Sequence, residues 1–351
     1  MSLVINDPRK TFSSLPFIPF GFDITISWRM DTPALIRRRP MMKFSMLHPL
    51  LLLPPCRFPS SFPLTSCKSV GAQVVMYKEV LPELLGVQNA PRMNVRPALR
   101  PLSQRRGILK EFAAAAFRTL HSLPTCTIPS ITAAGQLTNL TFGQSITGIE
   151  SRFSTGGFDD IVRGMMEIPA ARNDRFVISP LRNLNIPGII QRDLVALDAA
   201  RHSDVGGGSP AAMRHVLNLP PILGWEDLTE EAEVRSNLQL LYGTNYSAVP
   251  AFVAMMVEKD IADSQLGALA TKVIEQQYSD LREMDPCHYE HIYSGPLLDA
   301  LEAVTFADVL RVTTGVQVGH HPLHLRTASP PAAGPAPPPL PPPPPRGGGG
   351  G

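Results

Sequence analysis

The chain has 351 residues, of which 44% are hydrophobic and 18% charged, with a formal net charge of +2. That is enough apolar sequence for one large or two ordinary domains. The charge is too small and too evenly spread for a nucleic-acid surface, so no nucleic-acid partner is expected. No run reaches the ~20 apolar residues of a membrane helix, so no membrane span is expected.

Residues 1–67 are rich in Pro, Ser and Phe, carry RRRP at 37–40 and show no sustained helical or alternating period. They are expected to be irregular and are assigned to no domain. The N-terminus MSLVINDPRK does not read as a signal peptide. MMKFSMLHPLLLLPPC (41–56) has a short basic-then-apolar character, but prolines interrupt it, and an irregular segment is the simpler reading.

From residue 68 to 318 helical spacing dominates, and the expected fold class is all-α. SVGAQVVMYKEVLPELLG (69–86) places Val70, Val74, Tyr77 and Leu81 along one stripe, with Gly86 as a stop. LKEFAAAAFRTLHSL (109–123) is strongly helical by propensity. RDLVALDAAR (192–201) follows, then SPAAMRHVLNL (209–219), which opens with a Ser cap and a first-turn Pro. SQLGALATKVIEQQYSDLREM (264–284) sets Leu266, Leu269, Val273, Gln277 and Leu281 on one face. PLLDALEAVTFADVLRVTTG (296–315) reads as two short helices ending in Gly.

The four cysteines, Cys56, Cys67, Cys126 and Cys287, form no CxxC pair, so a zinc site is not indicated and disulfides are not required. Asn139 (NLT) and Asn245 (NYS) are glycosylation triplets should the chain be secreted. Residues 319–351 are expected to be a disordered Pro/Gly-rich tail. Its proline run could dock an SH3-like or profilin-like partner.

Chemistry enters at His121, in EFAAAAFRTLHSLPT (111–125). A lone histidine on an apolar helix is more often a packed core residue than a ligand. Other segments alter that balance. The stretch DLVALDAARHSDVGGGSPAAMRHVLNLPPILGWEDLT (193–229) resembles a hallmark of the animal-type haem peroxidases, DLxALNxQRxRDHGxPxYNxxRxxxGLPxxxxFxDL. The His121 segment resembles the family's FxxAAFRxGHSL. YKEVLPELLG (77–86), GGFDDIVRGMMEIPAARNDRFVISPLRN (156–183), LQLLYGT (238–244), LGALATKVIEQQYSDLREMDPCHYEH (266–291) and FADVLRVTTGV (306–316) look like further family motifs, in the family's order. In the family pattern the fourth of these reads GPxFAxIIADQFxRLRDGDRFWYEN. The resemblance covers residues 68–318, a partial haem peroxidase-like helical domain corresponding to the proximal half of the family's domain.

The resemblance implies a haem cofactor, with His121 as the metal ligand on the proximal side. A ligating histidine needs its other ring N–H held by an acceptor. The family uses the asparagine of ALN; Asp198 occupies that position here, a stronger acceptor that pulls imidazole towards imidazolate. The alternative is drift in a site that no longer binds haem. Arg201, three residues after Asp198 and on the same helix face, matches the first arginine of QRxRDHG, which lies by a haem propionate. The second arginine of that motif is Ser203 here and its histidine is Val205. Arg118 matches the arginine of AAFRxGH, one turn before His121. Internal salt bridges are the structural alternative for both arginines. The lipid-oxygenating branch of the superfamily carries a tyrosine at position 118, so the peroxidase branch fits better.

The implied reaction is oxidation of a small reductant by hydrogen peroxide. No catalytic residue is assigned, because the family's distal histidine and arginine segments, its GQFxDHD element and its calcium-binding loop have no match in residues 1–67. Truncation and loss of activity are therefore expected. The alternative is a non-catalytic helical remnant that serves as an interaction module through its proline-rich tail. The family's usual localisation favours secretion.

Overall fold

In the computed structural model, residues 70–91, 96–104, 107–146, 157–186 and 190–318 are described. The expectations for residues 1–67 and for the tail from 319 lie outside them. The first helix, α1, runs over 70–85. The predicted stripe is its buried face, with Val70, Val74, Tyr77 and Leu81 all nearly inaccessible. One turn, Met76–Val80, is wound as π-helix. Gly86 ends the helix with φ 82°, and an added Cβ there would lie 2.6 Å from the Asp263 carbonyl oxygen, so glycine is required on two counts.

The alanine-rich segment does not form the single α-helix that its propensity predicts. α2 covers only Lys110–Ala114. Ala115 departs from helical geometry (φ −131°, ψ −73°), and Ala116–Ser122 continue as a 3-10 helix. Side-chain hydrogen bonds account for the tighter winding. Thr119 Oγ1 donates to the Ala116 carbonyl at 2.8 Å and Ser122 Oγ to the Thr119 carbonyl at 2.9 Å, both three residues back. Arg118 Nε donates to the Ala113 carbonyl at 2.9 Å, a group that the broken helix leaves without an intrahelical partner.

Two short antiparallel ribbons add to the helical class. β1 (Thr127–Ile131) pairs with β2 (Leu137–Thr141), and β3 (Leu184–Ile186) with β4 (Ile190–Arg192). Sequence alternation was too brief to reveal either. α3 (Phe142–Ile146) follows β2, and α4 (Gly157–Glu167) lies against β1. That contact is close: a Cβ on Gly164 would lie 2.3 Å from the Pro129 carbonyl oxygen.

α5 (Ser179–Arg182) leads through the second ribbon to α6 (Leu194–Asp204). Asp193 caps α6 by accepting from the Val195 and Ala196 amides. α7 (Pro210–Val216) starts as predicted, with Ser209 accepting from the Ala212 amide and Pro210 in the first turn. α8 (Trp225–Leu228), α9 (Ala232–Tyr242) and the short turn Tyr246–Ala248 enclose a satellite core around Trp225, Leu238 and Tyr246. α10 (Ala251–Val257) and α11 (Ala268–Met284) are the central helices, contributing Phe252, Met255, Leu269 and Ile274 to the main core. α12 (Tyr289–Ile292), α13 (Pro296–Glu302) and α14 (Phe306–Thr313) close the described chain.

Two buried ion pairs tie these helices together. Arg214 of α7 donates to Glu258, just beyond α10, at 2.5 Å, and Glu258 also accepts the Leu269 amide in the first turn of α11 at 2.9 Å. Arg282 of α11 grips Glu290 of α12 through two bonds of 2.5 and 2.6 Å. Neither charge of such a pair can be deleted alone without leaving its partner buried and uncompensated. Among the described residues no helix is long and apolar enough to cross a membrane.

The Gly164 approach gives a direct test. Gly164→Ala must push β1 off α4 and is expected to cost about 2 kcal/mol by overpacking. Gly71→Ala, at a helical position with open space around it, is expected to be neutral or stabilising. Urea unfolding of both variants against wild type measures the difference.

Candidate functional site

The 3-10 winding of Ala116–Ser122 decides which side chains share an edge. Residues three apart eclipse, so Arg118 stands one turn directly before His121, and Thr119 directly before Ser122. Ser122 anchors the end of the segment: its hydroxyl donates to Asn173 Oδ1 at 2.9 Å and accepts from the Asp174 amide at 3.3 Å. The Ala171 amide adds a bond to the Leu123 carbonyl at 2.9 Å. His121 is thus presented from a segment fixed by its own hydroxyls and by a neighbouring loop.

α6 supplies the facing residue. Its buried face carries Leu194, Asp198 and His202, spaced four apart. Asp198 Oδ2 meets His121 Nδ1 directly, with His121 7% and Asp198 0% exposed. This joins residues 77 positions apart in sequence. The other carboxylate oxygen, Oδ1, has no hydrogen-bond partner among the described residues. A fully desolvated carboxylate with one oxygen unsatisfied is costly, and a cationic or N–H-donating neighbour is what offsets that cost.

Both sequence-predicted arginines lie near this pair. Arg201 is half-buried, one turn after Asp198. Arg118 is half-buried as well, and its pKa is lowered by burial and by the Arg201 guanidinium, while Asp198 acts in the opposite direction. The imidazole of His121 and the carboxylate of Asp198 therefore meet directly in the core, and the Arg118 guanidinium lies close enough to Asp198 and Arg201 to feel both charges. Of the departures from the family pattern, Ser203 and Val205 are exposed.

The structure also brings in residues that the sequence reading did not single out. His202 is 2% exposed, its Nε2 has no partner among the described residues, and burial lowers its pKa. Gly207 closes over its ring; an added Cβ would lie 2.1 Å from Nε2. Lys110 of α2 donates to the Val205 and Gly206 carbonyls at 3.3 and 2.9 Å, fastening the end of α6 to α2. The four-residue spacing from Asp198 was the available signal for His202. No cluster of three or more His, Cys, Asp or Glu that could chelate a metal ion occurs among the described residues. A haem iron needs only one axial side chain from this face.

The pair makes a thermodynamic prediction. His121→Ala strands the Asp198 carboxylate in the core and is expected to cost about 3 kcal/mol. In an Asp198→Leu background the same substitution is expected to cost much less, so urea unfolding of the double-mutant cycle reports a large coupling energy.

Comparison with known proteins places the chain in a family. The chain is 31% identical over 273 residues to Peroxidase skpo-1 of Caenorhabditis elegans, covering 75% of this chain and 40% of that protein. It is 29% identical over 246 residues to Heme peroxidase 2 of the same organism, covering 64% of this chain and 33% of that protein. The chain thus spans less than half the length of these curated relatives. Among solved structures, Peroxidase A of Dictyostelium discoideum superposes with a TM-score of 0.61 at 23% identity, over 72% of this chain and 50% of that one. A fatty acid alpha-dioxygenase of Oryza sativa superposes with a TM-score of 0.56 at 20% identity, over 71% and 49%. These two show a shared fold. Residues 68–322 match the family model for animal haem peroxidase, and the chain belongs to that family.

Proposed function

We propose that residues 68–318 form a haem-binding unit in which His121 is the axial ligand, Asp198 its orienter, and Arg201 and Arg118 contacts for haem propionates. The reaction class is oxidation of a small reductant by hydrogen peroxide. The observation that carries this reading is the buried Asp198–His121 contact, built from two segments far apart in sequence. A carboxylate on Nδ1 is what a metal-ligating histidine uses, because that acceptor sets the tautomer and directs Nε2 at the metal.

The residues present fit haem. Nδ1 meets Asp198, so Nε2 is the nitrogen through which His121 would bind iron. The Arg201 and Arg118 guanidiniums are of a type that suits carboxylates through charge-assisted hydrogen bonds. When bound, haem supplies the iron that accepts oxidising equivalents from peroxide and passes them on as single electrons. The protein's share on this side is orientation and electrostatics. Asp198 accepts a hydrogen bond from Nδ1–H and makes the imidazole a stronger donor, which would disfavour the reduced state of a bound iron. None of the four residues moves a proton between the peroxide oxygens. That step calls for a histidine and a positive charge on the opposite face. The proline-rich tail and its SH3-like or profilin-like partner lie outside the described residues. Secretion is the localisation that the family favours, and Asn139 and Asn245 are both exposed.

A haem titration followed by absorbance tests the reading. The wild-type chain is expected to give a Soret band that saturates at one haem per chain, and His121→Ala to lose or shift it. Equal, unsaturable signals from both would overturn the assignment. Asp198→Ala is expected to weaken haem affinity roughly 10- to 100-fold. Asp198→Asn is expected to retain binding and raise the reduction potential, measured by spectroelectrochemical titration.

A further inference from the structure

A line of aromatic rings leads away from the His121 segment. Phe117, four residues before His121, has its ring centroid 4.9 Å from that of Phe112. Phe112 meets Tyr278 of α11 edge to face at 5.8 Å. Tyr278 meets Tyr77 of α1 edge to face at 5.7 Å, and the Tyr77 hydroxyl donates to the Tyr278 carbonyl at 2.7 Å. Such edge contacts are ordinary packing. Three further observations single out Tyr278. It stands where the family pattern quoted above has phenylalanine, so its hydroxyl is not needed to fill the space. Of the six tyrosines in the chain, Tyr77, Tyr246, Tyr289 and Tyr293 are buried, and only Tyr242 and Tyr278 are half-buried. Tyr242 packs in the separate Trp225 cluster.

Tyr278 is therefore the one tyrosine that combines partial exposure with ring contacts running back to the His121 segment. We propose that Tyr278 is a one-electron relay, carrying oxidising equivalents from the haem site to reductants too bulky to enter it, such as large phenols or tyrosine-bearing peptides. The proposal rests on the haem-peroxidase reading. In the step, Tyr278 gives up one electron to the oxidising equivalent that hydrogen peroxide delivers to the site, and its phenolic proton passes to water. The neutral tyrosyl radical then takes one electron and one proton from the reductant at the surface, which restores the phenol and leaves the reductant oxidised by one electron. Phe112 and Phe117 are not oxidised; they shorten the gap through which the electron tunnels. Buried Tyr77 is the poorer donor, because its hydroxyl faces a carbonyl, which is no base.

The experiment uses the full haem-loaded chain, mixed with hydrogen peroxide and freeze-quenched for electron paramagnetic resonance, alongside Tyr278→Phe and Tyr242→Phe. Both changes keep the ring, so packing is preserved. A parallel reaction with a nitroso spin trap is mapped by mass spectrometry. The expected result is a tyrosyl signal that narrows with ring-deuterated tyrosine, is lost in Tyr278→Phe and survives in Tyr242→Phe, with the trap adduct on Tyr278. Oxidation of a tyrosine-bearing peptide is lost with it, while oxidation of a small phenol is retained. A tyrosyl signal and adduct pattern unchanged in Tyr278→Phe overturns the relay and leaves the haem reading standing. A haem-loaded wild type whose Soret band does not respond to peroxide overturns the relay and the peroxidase reaction class, and leaves haem binding by His121 to the titration above. As a haem-independent check, photogenerated ruthenium(III) tris-bipyridine acting on the haem-free chain should place the trap adduct on Tyr278; an adduct absent there removes the relay's accessible donor.

Discussion

A carboxylate with no access to water has to be answered by something, and in this chain the answer organises the fold. Asp198 lies at the centre of α6, fully inaccessible, and meets the imidazole of His121 from a segment 77 residues earlier. Holding that contact requires α6 to be capped firmly by Asp193, the His121 segment to be wound tightly, and the loop at Asn173 to anchor its end. α10 packs against both α6 and the His121 segment, and α11 packs against the His121 segment. Hydrophobic burial supplies most of the stabilisation, but the polar contact sets the register of one helix against the other.

Much of the helical frame was legible in sequence because helical period and capping are local properties. The stripe of Val70, Val74, Tyr77 and Leu81, the Ser209–Pro210 start and the paired helices near the end of the described chain all follow from spacing and cap chemistry. The failures have physical causes. Alanine propensity predicts one helix through residues 109–123, yet the hydroxyls of Thr119 and Ser122 and the guanidinium of Arg118 compete for backbone carbonyls and break it. The two ribbons went unread because strands of three to five residues show too few alternations to register.

The candidate site was read by another route. His121, Asp198, Arg201 and Arg118 were picked out through resemblance to family motifs, and of these the fold brings His121 and Asp198 into direct contact. His202 and its glycine cover escaped because nothing in the sequence says that Gly207 lies across the ring, a relation that exists only once the chain turns back after α6. The Ser122–Asn173 bond escaped likewise, since an anchor between a helix end and a distant loop leaves no periodic trace.

The aim of His121 depends on the kind of helix that carries it. A 3-10 helix turns about 120° and rises about 2 Å per residue, against about 100° and 1.5 Å for an α-helix. Between Ala116 and His121 there are five such steps, so rewinding them as α-helix would swing the imidazole by about 100° and draw it in by about 2.5 Å. The alanine run at 113–116 leads into the segment, and its intrinsic preference is to carry α-winding onward. The segment's hydroxyls thus act as a detent that holds a screw thread short of where it would come to rest. A mutation that improves local helicity here can make the chain more regular and point its histidine the wrong way.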